Sequence, residues 1–376
     1  MNKFIKRILL LSLIFTIGSL AMVSTASAAT ITAGMNSTEI QNEINLANEN
    51  DVISFEYYDY QNISLVINKS LNLQGNGAIL NYDVNNLVVL NVVNTDNVII
   101  DGFTINGGRA IVANNVSNLI ITNNVINMQT NNDAISLTSV QKAILDNNKL
   151  YGDNIGRDGI GLVNSSDITI STNEIVEFTR NGIGMAAGRL GELNETRTFN
   201  IVIQGNDISF IGEEGIYFGG GVDHVNITNN NIFFIGNESN GTGNGINIAR
   251  SSEDILITDN TIEFCGVGIR VEEGNTDHDN ETPTVLKNVI IENNTLNGNS
   301  VGILLVNSNN PVVWTYYLLG NNDFSDNGVD VKAVIEVVAE LEDEPVDDPI
   351  TNPNQGGNNQ GGNGQGGNNQ GGNGQG

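Results

Sequence analysis

The chain has 376 residues, a formal net charge of −28, a single cysteine and 64 asparagines. So acidic a balance excludes nucleic acid or an anionic membrane as the main partner, because no basic surface exists to release counterions; the lone cysteine excludes an intrachain disulfide framework. Yet 39% of residues are hydrophobic, too many for wholesale disorder.

Residues 1–28 read as a secretory signal peptide. Lys3, Lys6 and Arg7 form a basic start, Ile8 to Val23 is apolar, and Ala26-Ser27-Ala28 suits cleavage. Export predicts a mature start near Ala29, a net charge near −31, a secreted or cell-surface location and no transmembrane segment after cleavage. Asn-x-Ser/Thr sequons such as Asn62, Asn164 and Asn194 agree with that location where the host glycosylates asparagine.

Thr38 to Asn50 has helical spacing, with Ile40, Ile44 and Ala47 on one face. A helix there would cover the open edge of a sheet formed by the next residues.

Beyond it lies a repeat of about 22–34 residues. Its first part reads apolar, any, apolar, two of any kind, Asn, any, apolar. Ile168-Ile170-Asn173-Ile175 and Ile201-Ile203-Asn206-Ile208 are two of the copies. Its second part is a small residue, Ile or Val, any residue, then an apolar one, as at Gly182-Ile183 and Gly215-Ile216. Alternation with period two makes strands with one buried face. The repeat is too short for helical crossovers, so the strands coil into a solenoid whose hydrogen bonds run from coil to coil. The Asn position then stacks into an internal ladder of Asn76, Asn124, Asn148, Asn173, Asn206, Asn230, Asn260, Asn294 and Asn322. The Gly before Ile is expected to supply a positive φ for a sharp turn.

From each Gly or Ala anchor to the next Asn the basal distance is 14–15 residues, but 182→206 spans 24, 268→294 spans 26 and 302→322 spans 20. All three insertions fall at the same turn and can wall a groove. Arg189 and Arg197 in the first loop and Trp314 in the third are candidate ligand contacts, since an aromatic face beside polar groups suits a sugar. Asp277, Asp279 and Glu281 alternate along the second loop and offer Ca²⁺ ligands if it folds back, without the spacing of an EF-hand; no other cofactor is expected.

The residues just before the anchors form a column, Arg109, Asp133, Asp158, Asn181, Glu214 and Asn244. Adjacent coils lie about 4.8 Å apart. Asp133 and Asp158 can therefore share a proton, or act with Glu214 in glycoside hydrolysis or elimination, while Arg109 and Arg157 hold a uronate. The plainer reading is that turns favour Asp and Asn, and that alternating charges neutralise the stack. Four residues before each Asn, Ile120, Ile144, Val202, Leu256, Ile290 and Leu318 face outward as an apolar stripe, a candidate surface for a partner or self-association.

With this repeat and helix, residues 30–341 resemble the right-handed parallel β-helix of the pectin-lyase-like superfamily. The leader, Asn-rich coils and tail resemble adhesin-like surface proteins of methanogenic archaea. Asn132-Asp133-Ala134 only faintly echoes polygalacturonase motifs, and Gly221-Val222-Asp223-His224 is not their Gly-His-Gly. Val334, Val337, Val338 and Leu341 have helical spacing and suggest a second cap. Residues 342–376 change to an acidic, proline-bearing linker and a Gly/Asn/Gln-rich tail, expected to be disordered.

The expectation is thus an all-β solenoid of about ten coils over residues 29–341. Its role would be adhesin-like, non-catalytic binding of glycans or cell-envelope components. A polysaccharide lyase or glycoside hydrolase and a structural envelope module remain open alternatives.

Overall fold

The computed structural model describes residues 28–82, 87–187, 197–236, 243–249, 252–273, 286–307 and 317–335. Within them the chain forms a parallel coil of three strands per turn. In one coil the first strand is Asn181–Ala186, the second Thr198–Gln204 and the third Asp207–Ser209. The next coil repeats this as Glu214–Phe218, Val222–Thr228 and Asn231–Phe233. First and second strands join one 20-stranded sheet, and third strands stack into an 11-stranded sheet. Every pairing is parallel and in register, so Ile170, Ile203 and Ile227 lie one above another. All three have 0% exposure, which places the apolar alternation inside the coil.

The strands begin at Ala28, which pairs with Val52, one residue inside the segment read as the leader. The helix runs from Ser37 to Leu46 and buries Ile40 and Ile44. Asn36 starts it: its side chain accepts the N–H groups of Thr38 and Glu39, and Glu39 reaches back to the N–H of Asn36. No helix among the described residues is long and apolar enough to cross a membrane.

The ladder runs from Asn124 to Asn322. Each Nδ2 donates to the Oδ1 of the next rung at 2.9–3.0 Å. That Oδ1 also takes the backbone N–H of the rung below at 2.9–3.1 Å. The second Nδ2 hydrogen goes to a carbonyl of the coil below, as from Asn206 to Ile170. Interior rungs therefore use all four hydrogen-bonding positions of the amide. Asn76 is not a rung: it is exposed at φ 50, and its amide bonds Ser54 and Phe55. Ala78 pairs alongside the Phe103 corner instead, and the Phe103 N–H closes the ladder on Asn124. A second, shorter ladder appears at another turn, where Asn299 Oδ1 takes the Cys265 N–H and the Asn299 N–H bonds Asn327.

The anchor glycines have a different reason from the one expected. Gly182, Gly215, Gly245 and Gly268 are not among the positive-φ residues. A Cβ on Gly215 would instead meet the Gly245 carbonyl oxygen at 2.5 Å and Ile232 at 2.8 Å. The coil closes so tightly there that the next backbone occupies the methyl's place. Positive φ falls on other residues, many of them Asn at the corners, such as Asn97, Asn118, Asn147 and Asn229, where a short polar side chain tolerates it. Phe210, Phe234 and Phe264 hold it too; they stack with centroids 5.1–5.2 Å apart.

Val334 lies in the last strand, Val329–Ile335, rather than in a capping helix. Val337, Val338, Leu341 and the tail fall outside the described residues, as do residues 1–27.

Candidate functional site

The outward face of the first strands gathers the chemistry. Two residues past each anchor, the column reads Ser136, Gly161, Gly184, Tyr217, Asn247 and Arg270, joined in register. Beside it runs the column before the anchors, Asp158, Asn181, Glu214 and Asn244. The earlier residues of that column lean over the small residues of the next coil. Asp133 Oδ2 would lie 3.2 Å from a Cβ on Gly161, and Asp158 Oδ2 3.5 Å from one on Gly184. Ser136, Gly161 and Gly184 thus form a low floor partly covered by the Asp133 and Asp158 carboxylates, and Tyr217 stands at its upper end.

Asp133 and Asp158, expected to face each other, are each bonded to an arginine instead. Asp133 accepts Arg157 Nε and Nη2, both at 2.8 Å. Asp158 accepts Arg180 in the same two-pronged manner, Nε at 2.8 Å, and also takes the N–H of Asn181. Both carboxylates are buried, at 5% and 2% exposure, and each has a full guanidinium partner in exchange for the water it gives up. The guanidinium side chains remain about half exposed, 46% for Arg157 and 42% for Arg180. Each retains N–H donors on its outer edge. Arg197 likewise grips buried Asp223. Arg109 begins its strand opposite Val88, at the lower end of the same column.

Glu214 differs. It has no arginine bonded to it: Oε1 accepts Asn244 Nδ2 and Asn247 Nδ2, both at 3.0 Å. Its Oε2 is buried without a hydrogen-bond partner, and so is Asn247 Oδ1. Burial pushes the Glu214 carboxyl above its ordinary value, against the lowering effect of the two amides and of Arg270. Arg270 itself holds Glu272 at 2.9 and 3.1 Å.

Arg189, Trp314, Asp277, Asp279 and Glu281 fall outside the described residues. The loops that carry them leave from the ends of first strands, and Glu273 and Asn307, the last residues of two of those strands, are register neighbours. The outward column of the second strands is in register, but Thr169 and Asn226 interrupt it between Ile144, Val202 and Leu256. Ile120, Ile144, Val202, Leu256 and Ile290 are half-buried, so the continuous apolar stripe expected there is broken into short runs. Leu318 lies in the same register beside Ile290.

Residues 88–262 match the family described as the right handed beta helix region. Among solved structures, the chain is similar to the A-module of Azotobacter vinelandii mannuronan C-5 epimerase AlgE4, with a TM-score of 0.60 at 15% identity over 83% of this chain and 98% of that one. The chain has a right-handed parallel β-helix fold. The polygalacturonase of Erwinia carotovora shares that β-helix, with a TM-score of 0.53 at 15% identity over 82% of this chain and 99% of that one. PfbA, a surface adhesin of Streptococcus pneumoniae, matches with a TM-score of 0.53 at 13% identity over 82% of this chain and 93% of that one. A comparison with curated protein sequences finds no match. Identities this low carry the β-helix alone, so the function must be argued from the site.

Periodicity alone does not single out Tyr217, Asn247, Arg180 or Arg270, although a signal for them exists. They fall at or beside positions that the repeat leaves free, where only the outward column has meaning.

Proposed function

We propose that this chain is an exported, surface-associated β-helix that binds an acidic polysaccharide along the outward face of its first strands. The observation that carries the reading is the floor of Ser136, Gly161 and Gly184 beside the half-exposed guanidiniums of Arg157 and Arg180. An extended glycan needs a shallow floor that backbone can approach, and its carboxylates or sulfates need donors at regular spacing. Arginines on successive coils repeat at about 4.8 Å, and guanidinium suits planar two-pronged recognition of such anions. Their aspartate partners are buried, so in a chain of net charge −28 the groups offered to an anion here are half-exposed guanidinium donors. The leader-like start supports export, the name of one similar protein, a surface adhesin, supports a surface location, and those of two others, an epimerase of mannuronan and a polygalacturonase, support a polysaccharide ligand.

The test is calorimetric titration of the purified chain with alginate, polygalacturonate and a neutral glucan. Binding of the acidic polymers, weakened by salt and lost in an Arg157→Gln/Arg180→Gln/Asp133→Asn/Asp158→Asn variant that keeps its circular dichroism, supports the reading. A folded wild-type chain that binds none of the acidic polymers removes it.

A second reading has its own observation. Glu214 is a carboxyl raised by burial beside Tyr217, the environment of a general acid. It predicts release of reducing ends or unsaturated uronates, abolished by Glu214→Gln.

A further inference from the structure

Two buried oxygens lack a donor: Glu214 Oε2 and Asn247 Oδ1. Their residues are already joined, since Asn247 Nδ2 donates to Glu214 Oε1 at 3.0 Å. An ionised carboxylate would leave both oxygens as acceptors with nothing to accept, each stripped of water and given no bond in exchange. A carboxylic acid removes the conflict with one hydrogen. Acid and side-chain amide are complementary: the amide N–H donates to one acid oxygen while the acid O–H donates to the amide oxygen.

We propose that Glu214 is held as the neutral acid and that its Oε2–H donates to Asn247 Oδ1, closing an acid–amide pair that latches two successive coils. Asn244 Nδ2 supplies a further donor to Oε1, and the Glu214 N–H is taken by the Arg180 carbonyl. Burial favours the neutral form, and the surrounding charges do not reverse it. Arg270 lies two coils away along the register and is engaged with Glu272. Arg180 in the coil below is bound to Asp158, and Glu213 precedes Glu214 in the chain. The Cys265 thiol, made less acidic by burial first and by Glu214 to a smaller extent, stays protonated.

The folded carboxyl is raised above its unfolded value of about 4.3. The folded state therefore binds more proton between the two values. Stability from this pair is complete below the unfolded value, falls as pH rises through that window, and is flat above the folded value. The latch also has a regulatory consequence, which rests on the anion-binding reading of the adjoining floor. Ionisation of Glu214 places a negative charge beside that floor, so affinity for a polyanion falls as pH rises through the folded value.

The experiment is a carboxyl ¹³C titration of the full chain labelled at glutamate, with Glu214 assigned by its loss in Glu214→Gln. The latch predicts one glutamate carboxyl that titrates well above the rest. The Glu214→Gln side chain would keep the pair, its Nε2 donating where the acid O–H did, so the variant should hold its melting temperature as pH rises while the wild type declines. A Glu214 carboxyl that titrates with the exposed glutamates overturns the proposal. Alginate affinity measured across the same range separates the two ideas: an elevated titration with pH-independent affinity sustains the latch and overturns only its link to the floor.

Discussion

Asn206 donates its Nδ2 to Asn230 Oδ1 at 2.9 Å, and its backbone N–H reaches the same oxygen at 2.9 Å. One amide thus ties two coils through both backbone and side chain, and takes the same two bonds from Asn173. Asn206→Ala strands the donors of Asn173 and the carbonyl of Ile170 in a site 1% exposed. The expected loss is about 3 kcal/mol or more, several unmet buried groups at once. Asn322→Ala strands the same kinds of group, two donors of Asn294 and the carbonyl of Ile291, but at a half-buried rung that water can reach, so it should cost about 1 kcal/mol. Urea unfolding of both variants checks the order; equal costs would mean that the ladder does not act through its interior rungs.

Gly215→Ala places a methyl 2.5 Å from the Gly245 carbonyl oxygen, backbone that cannot swing aside. Destabilisation of about 2 kcal/mol is expected from overpacking. The same position holds Ala134 in an earlier coil, buried at 0%. Ala134→Gly should therefore lose only about 0.5–1 kcal/mol, the ordinary entropy of glycine. Thermal melts of the pair distinguish close approach from a φ requirement, under which Gly215→Ala and Ala134→Gly would not differ in this way.

Burial pushes the Cys265 thiol up to about 12. In the folded chain it should resist iodoacetamide at neutral pH and react in step with unfolding, because the thiolate is the reactive form. The folded value exceeds the unfolded one of about 8.5, so this thiol contributes stability below a pH of about 8.5 that is lost as pH climbs towards the folded value. Rapid labelling in the folded state would contradict this burial.

Arg180→Ala leaves Asp158 buried without its partner. The guanidinium is about half exposed, so solvent screens part of the loss, and about 2 kcal/mol is expected. Adding Asp158→Asn should recover part of it, since the residue left behind is neutral. A double-mutant cycle by chemical denaturation reads the coupling; a value near zero would show that the pair contributes little beyond its exposed half.

The ladder from Asn124 to Asn322 is legible in the sequence because period and register repeat at every coil. Asn76 misleads because the first coils carry extra corner residues: Gly75, Asn76 and Gly77 stand where the next coil has a tighter turn, and the asparagine swings outward. The anchor glycines are recognisable by position but not by cause, since φ and close approach both select glycine and only the neighbouring backbone distinguishes them.

By itself the sequence determined the coil, its inward faces and its eight-rung ladder from Asn124 to Asn322, since these depend on residues repeating at fixed spacing along one chain. The tertiary structure decided which outward groups meet. Asp133 and Asp158 are neighbours by counting, but the arginines before each next anchor, Arg157 and Arg180, turn back to hold them. Glu214 stands in the same column and receives asparagines instead, from a coil 30 and 33 residues further on. The physical reason is that a carboxylate's state depends on which donors and how much water surround it, and in a solenoid those donors come from the next coil, at a distance that insertions keep changing.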